Sequence, residues 1–298
     1  MTIKEAVGKF VRDGSYIFFG FFGARVPMAI VYEIVRQRKK NLDVGRGGLY
    51  DLDILIASGC VKRLDRGYGG GFEVLGLSPV FRRAVSNREI KVVEWSNTAF
   101  AWRLKAGAMG IPFIPIRTMM GTDTFRHSAA RLVKCPYTGV KLCIVPACNP
   151  DVAMIHVNRC DPYGNAQIDG ITVYDIEAAR ASRRVIITAE RIVDEDSIRR
   201  EPWRTCIPHF YVDAVVEVPW GSHPSNMPGE YYIDEEIFNE WIAQSKTREG
   251  VEAFLNRYVF GVEDFDGYLE AVGGLRKLKR LRDIELLRNA KTNTRCSA

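Results

Sequence analysis

The stretch Asp13-Gly14-Ser15-Tyr16-Ile17-Phe18-Phe19-Gly20-Phe21-Phe22-Gly23-Ala24-Arg25-Val26-Pro27 constrains the fold most. Asp13-Gly14 is a turn signal, because glycine takes positive φ without steric cost. Residues 16–19 are an unbroken apolar run, which fits a strand buried on both faces rather than one with a wet side. From Gly20 to Pro27 the chain leaves that strand and enters a helix, and proline suits a first helical turn. A first strand that ends in glycine and feeds a helix is where open α/β sheets bind ligands. A simple tight βα turn explains the same spacing.

The rest of the chain repeats this grammar. A short amphipathic helix is expected over 2–12, with Ile3, Ala6, Val7 and Phe10 on one face. Helices are expected over 27–38, from Asp51 as a cap to 58, from Ser78 as a cap to 85, and over 98–109. Strands are expected at 42–44, from 61, and at 90–95. In the second half, 141–145, 152–157, 184–188 and 212–218 read as strands. There 174–182, 235–245, 248–258, 262–272 and 275–291 read as helices. Alternating short strands and helices, with glycine at the strand ends, predict an α/β protein with an open, mostly parallel sheet flanked by helices.

Composition narrows the class. The chain has 298 residues, 47% hydrophobic and 26% charged, as expected of a globular protein of one large or two modest domains. No apolar run reaches the ~18 residues of a membrane span, and the first ten residues lack a signal peptide's apolar core. Seven scattered cysteines without a C-x-x-C spacing predict a reducing, cytoplasmic setting and no structural zinc. His156 and Cys160 are four apart, but their segment reads as a strand, so core packing is the expectation and no metal site is expected. The net charge of +6 is concentrated in Leu275-Arg-Lys-Leu-Lys-Arg-Leu-Arg. It comes with no nucleic-acid motif, so no nucleic-acid partner is expected.

Three segments carry possible chemistry. Gly67-Tyr68-Gly69-Gly70-Gly71-Phe72 breaks the dinucleotide spacing, and no P-loop occurs. Successive glycines at a strand end still let backbone amides approach an anion or a thioester oxygen closely, or simply make a flexible loop. Glu94-Trp95-Ser96-Asn97-Thr98 ends a strand and opens a helix. Ser96 or Asn97 there is either a helix cap or a polar group facing a ligand. Glu94 has the chemistry of a nucleophile or base, and equally that of a paired strand-end carboxylate. His223, in Gly221-Ser-His-Pro224, is either a ligand contact or a turn-stabilising histidine.

These blocks together resemble the α subunit of family I coenzyme A transferases, its glutaconate branch above all. The family's Asp-Gly, apolar triplet, Gly-Gly-Phe and proline match residues 13–27, with Gly20-Phe21-Phe22 in place of Gly-Gly-Phe and Arg25 before Val26-Pro27. Ala106-Gly-Ala-Met-Gly-Ile-Pro-Phe113, Asp161-Pro-Tyr-Gly-Asn165, and Val212-Asp-Ala-Val-Val216 with its Gly-x-His-Pro turn continue the match. The resemblance runs from about residue 2 to 274. It implies a three-layer α/β/α domain over 1–274, followed by a basic helix and tail over 275–298.

The resemblance also implies roles. Gly20, Phe22, Arg25, Gly70, Gly71, Phe72 and Ser96 would line the acyl and coenzyme A site. Asn97 aligns with an amide, usually glutamine, that points at the thioester oxygen. A neutral donor there stabilises an oxyanion without titrating, worth roughly 3–4 kcal/mol in comparable sites. Phe72 stands where the glutaconate enzymes carry serine, which favours a bulkier or more apolar acyl group. The family's nucleophile is a glutamate in Ser-Glu-Asn-Gly on the β subunit, and that motif is absent from this sequence.

The resemblance thus implies the α subunit of a two-subunit enzyme. Its substrates would be an acyl-CoA and a carboxylic acid, with coenzyme A as substrate and no permanently bound cofactor. Two related readings keep the scaffold, a steroid-ring hydrolase and a glutaconyl-CoA-type decarboxylase. A third reading is a non-enzymatic, sugar-phosphate-sensing protein on a related scaffold. The hydrolase branch has an acidic residue near position 97, and this chain has Asn97.

Overall fold

The computed structural model describes residues 1–20, 23–45, 48, 50–68, 71–72 (backbone) and 76–288. The first helix, Ile3–Phe10, begins in a capping box. Thr2 Oγ1 accepts from the Glu5 N–H at 3.2 Å, and Glu5 Oε2 accepts from the Thr2 N–H at 2.8 Å.

The core is a parallel sheet built from β1 (Tyr16–Phe19), β2 (Leu42–Gly45), β3 (Val61–Arg66), β4 (Lys91–Glu94), β5 (Val152–Cys160), β6 (Arg184–Ile192) and β7 (Ala214–Glu217). Their spatial order is β4-β3-β2-β1-β5-β6-β7. The winding direction therefore reverses between β1 and β5, which pair in register from Ile17 opposite Val152 to Phe19 opposite Met154. Beyond the end of β1, the vacated flank of β5 is taken by an antiparallel ribbon, Ala166–Gln167 paired with Thr205–Ile207.

β1 shows why its sequence is unbroken in apolar residues. Ile17 and Phe19 enter one core, while Phe18 enters the other, where its ring packs at 5.8 Å from Tyr174 and 6.2 Å from Phe100. β5 divides likewise, with Val152 and Met154 on the first side and Ala153, Ile155 and Val157 on the second. Each of the larger of these buried side chains contributes about 1.5–3 kcal/mol. The first core is closed by the helices Met28–Arg36, Tyr50–Ala57 and Pro79–Ser86 and by the C-terminal helices. The second is closed by the helices Asn97–Ala108 and Asp175–Ala181. This is the expected parallel sheet between helical layers.

The structure adds what the sequence reading lacked. Phe113–Ile116, Arg131–Lys134 and Lys141–Pro146 form a separate antiparallel sheet against the helix Asn97–Ala108, so 141–145 is not a strand of the main sheet. Asp51 is not a cap, because it lies inside the helix Tyr50–Ala57. The helix expected over 248–258 runs as Arg248–Leu255 and then widens into a π-turn, Asn256–Phe260. The terminal helix is Gly274–Glu285, with Leu278 and Leu281 buried; residues 289–298 lie outside the described residues. No helix among the described residues is long and apolar enough to cross a membrane.

Candidate active site

In a doubly wound sheet, the crevice opens at the carboxyl ends of the strands where the winding reverses. Here that point is the end of β1. The Gly20 N–H donates to the Met154 carbonyl at 2.8 Å. A Cβ on Gly20 would lie 3.0 Å from Asp175 Oδ1 and 3.2 Å from Ile155 Cγ2, so any larger residue would press on both side chains where the chain passes β5. Phe22 falls outside the described residues. Arg25 has φ 50° and is 1% exposed. Its Nη1 pairs with Asp175 Oδ2 at 2.8 Å, and its Nη2 donates to the Ile171 carbonyl at 2.7 Å. Its guanidinium therefore ties the β1 loop to the segment before Asp175–Ala181, and its contacts are with the protein.

A second anchor comes from the turn at 221–226. The Ala29 N–H donates to the Gly221 carbonyl at 3.0 Å, Ser222 Oγ donates to the Val26 carbonyl at 2.7 Å, and the Arg25 N–H donates to the Asn226 carbonyl at 2.9 Å. His223 sits beneath this staple, fully buried. Its Nδ1 meets Tyr268 OH at 2.8 Å and its Nε2 meets Asp234 Oδ2 at 3.0 Å. Burial lowers the imidazole pKa against the opposing pull of Asp234, so the ring favours its neutral form. His223 is thus the turn-stabilising histidine. His156 is likewise spoken for, with Nδ1 2.9 Å from Thr188 Oγ1 and Nε2 2.8 Å from Glu190 Oε1. The described residues contain no cluster of His, Cys, Asp and Glu fit to hold a metal ion.

The remaining site residues gather at the ends of β3 and β4. Ser96 is the N-cap of Asn97–Ala108, its Oγ accepting from the Ala99 N–H at 3.1 Å. Asn97 is the first helical residue and exposed. Its Oδ1 accepts from the Tyr68 N–H at 2.7 Å. A backbone N–H can only donate, so this bond fixes the amide's orientation and leaves Nδ2 as donor. A Cβ on Gly67 would lie 2.9 Å from Asn97 Oδ1, so glycine is what admits the amide. Beyond it, Gly71–Phe72 pairs antiparallel with Gly76–Leu77; Gly70 and the side chain of Phe72 lie outside the described residues. Glu94 is half-buried at the end of β4, its N–H donating to the His127 carbonyl at 3.2 Å. It is in register with Arg66, whose guanidinium lies 4.8 Å from the centre of the Phe81 ring.

Beneath this edge is a buried polar cluster that sequence reasoning missed. Asp65, on β3, accepts from Tyr16 OH at 2.7 Å, from Arg103 Nη1 at 2.9 and 3.0 Å, and from Trp95 Nε1. Burial alone would lower the Arg103 pKa, but Asp65, Cys148 and Tyr16 together more than offset this and raise it. Burial pushes the Cys148 thiol, 3.0 Å from Tyr16 OH, up to about 11. These contacts lock the helix carrying Asn97 to the strand leading into Gly67. The one available signal was an aspartate and an arginine at otherwise apolar positions of a strand and a helix.

A helix-start amide oriented by the backbone of a glycine-containing loop, at the carboxyl ends of β3 and β4 on the edge of a parallel sheet, can face an acyl or phosphoryl ligand. Similarity to known proteins agrees with the thioester reading. The family model described as Coenzyme A transferase matches residues 1–218. The A subunit of glutaconate CoA-transferase from Acidaminococcus fermentans is 33% identical over 93% of this chain and 92% of its own length. The crystal structure of that organism's glutaconate coenzyme A-transferase superposes with a TM-score of 0.91 at 32% identity, covering 95% of each chain. The A subunit of 3-oxoadipate CoA-transferase from Pseudomonas knackmussii is 35% identical over 90% of this chain and 96% of its own length. An uncharacterised protein of Archaeoglobus fulgidus is 54% identical over 97% of this chain, which spans 65% of that protein's length. The chain belongs to the coenzyme A transferase family.

Proposed function

We propose that this chain is the α subunit of a two-subunit enzyme that moves coenzyme A between an acyl-CoA thioester and a carboxylic acid. The observation that carries the reading is the Asn97 amide, held by the Tyr68 N–H at 2.7 Å with its donor group left over. A thioester oxygen gains negative charge as its carbonyl is attacked, and a fixed neutral donor stabilises that charge. The nucleophile comes from the β subunit, as a glutamate. Its carboxylate attacks the thioester carbonyl, the C–S bond breaks, and CoA thiolate leaves an acyl–glutamyl anhydride. The thiolate then attacks the glutamyl carbonyl and releases the first carboxylate, leaving a glutamyl–CoA thioester. The acceptor carboxylate attacks that thioester and the steps run in reverse. Each step exchanges one activated acyl bond for another, so no hard hydrolytic step is needed. Asn97 Nδ2 would serve whichever thioester oxygen occupies the site.

The test is to co-express this chain with the second CoA-transferase-family polypeptide of the same genome. The purified complex is then treated with acyl-CoA and either hydroxylamine or borohydride. Transfer chemistry predicts a glutamyl hydroxamate, or a reduced glutamyl side chain, on the partner and not on this chain. A complex that consumes acyl-CoA and yields neither adduct supports hydrolysis or decarboxylation on the same scaffold. Turnover by this chain alone would overturn the α-subunit reading and make Glu94 the first residue to replace.

A further inference from the structure

The small antiparallel sheet is largely apolar on both faces, with Lys134 and Lys141 at the end of one and Arg131 on the other. Register places Ile114, Ile116, Leu132, Cys143 and Val145 on one face, and Phe113, Pro115, Val133, Leu142 and Ile144 on the other. Strands apolar on both sides belong in sheets covered on both sides. The helix Asn97–Ala108 covers the centre of the first face and buries Ile116, Cys143 and Val145, while Leu132 at its edge is 54% exposed. On the second face Phe113 is 50% and Val133 38% exposed, Pro115 and Arg131 are exposed, and Leu142 and Ile144 are half-buried. An apolar sheet face left open to water marks an interaction surface.

From this we infer that the outer face of the Phe113–Ile116, Arg131–Lys134 and Lys141–Pro146 sheet seats the β subunit, an inference that rests on the two-subunit reading above. Two observations choose this occupant. Residues 111–142 carry Arg117, Arg126, Arg131, Lys134 and Lys141 against a single acidic residue, Asp123. A second copy would bring the same cations against one another, whereas a partner with an acidic border around an apolar centre would be drawn in. The sheet is also continuous with the candidate site, since the Glu94 N–H donates to the carbonyl of His127, in the segment joining Phe113–Ile116 to Arg131–Lys134. A partner seated here stands beside the ends of β3 and β4, where a nucleophile from outside this chain is needed.

The experiment compares the wild-type complex with Phe113→Glu and Val133→Glu, and with Leu275→Glu on the 67%-exposed terminal-helix position as control. Affinity for the second polypeptide is read by sedimentation, and the fold of each isolated variant by thermal unfolding. The sheet variants should keep their melting temperature and weaken association at least about tenfold, because a charge is being buried at the centre of an interface; Leu275→Glu should bind normally. Hydrogen exchange on the wild-type complex should show protection of 113–116 and 141–146, which keeps the test valid if a sheet variant fails to fold. If the complex forms and neither variant nor exchange marks this face, the location is wrong and the two-subunit reading stands. If the wild-type chain forms no complex, that reading falls and takes this one with it. If the chain alone dimerises through Val133, the occupant is a second copy and the inference is overturned.

Discussion

Asn97 Oδ1 accepts a 2.7 Å hydrogen bond from the Tyr68 N–H, so one amide both fastens the glycine-containing loop and presents a donor. The two roles separate by substitution. Asn97→Asp keeps an acceptor for Tyr68 and removes the donor, while Asn97→Ala removes both. In the complex, both variants should lower kcat by about 10²–10³, the loss seen when one oxyanion donor is removed. Because Asn97 is exposed, neither should move the melting temperature greatly. Wild-type kcat in Asn97→Asp would sink the donor role.

Arg25 and Asp175 make the opposite kind of prediction. Their 2.8 Å pair is buried, with side chains 1% and 0% exposed. Arg25→Ala strands the carboxylate and should cost about 3–5 kcal/mol in urea unfolding. Replacing both, as Arg25→Met with Asp175→Leu, should recover much of that loss. A raised KM with unchanged stability would instead make Arg25 a substrate contact.

Asp53 should tilt stability against high pH. It lies in the first core, accepting from Ser78 Oγ at 2.5 Å and Trp241 Nε1 at 3.0 Å, and burial pushes its pKa from 3.8 up to about 7. The folded form binds a proton that the unfolded chain has already lost. Its stabilisation is therefore full below pH 3.8 and is lost as pH rises through about 7. Relative to Asp53→Asn, which stays neutral, the wild type should lose up to about 4 kcal/mol between about pH 4 and pH 8. Parallel stability curves for the two proteins would refute the assignment.

His223 should act with the opposite sign. Its folded pKa lies below 6.5, so the unfolded chain takes up a proton first as pH falls. Stability present above pH 6.5 is lost on acidification toward the lowered folded value. His223→Gln should be less stable at pH 7.5, losing buried hydrogen bonds, and its curve should lack the wild type's decline below about pH 6.5.

How far the sequence was legible follows from where each signal lives. β1 was legible because a strand buried on both faces must be apolar at every position, as Ile17, Phe18 and Phe19 are. The cap at Ser96 was legible because its bonding partner, Ala99, is three residues away. Asp65 and Arg103 were not, because their pairing spans 38 positions and leaves no periodic trace. The Arg25–Asp175 pair was hidden for the same reason, Asp175 being 150 residues distant. The strand Arg131–Lys134 was missed because both ends are charged and only Leu132 and Val133 are apolar. Ala166–Gln167 was missed because two residues carry no alternation.

The staple between the β1 loop and the turn at 221–226 sets an order of events during synthesis. Gly23, Arg25, Val26 and Ala29 bond through their backbones to Ser225, Asn226, Ser222 and Gly221. At about 5–20 residues per second, a ribosome needs roughly 10–40 s to travel from Arg25 to Asn226. Until then the loop at the sheet's reversal has its ties to Met154, Ile171 and Asp175 but not those to the turn. The loop is made long before the turn that completes its shape, and a nascent chain halted before the 221–226 turn would carry the first strand with the loop after it only half anchored.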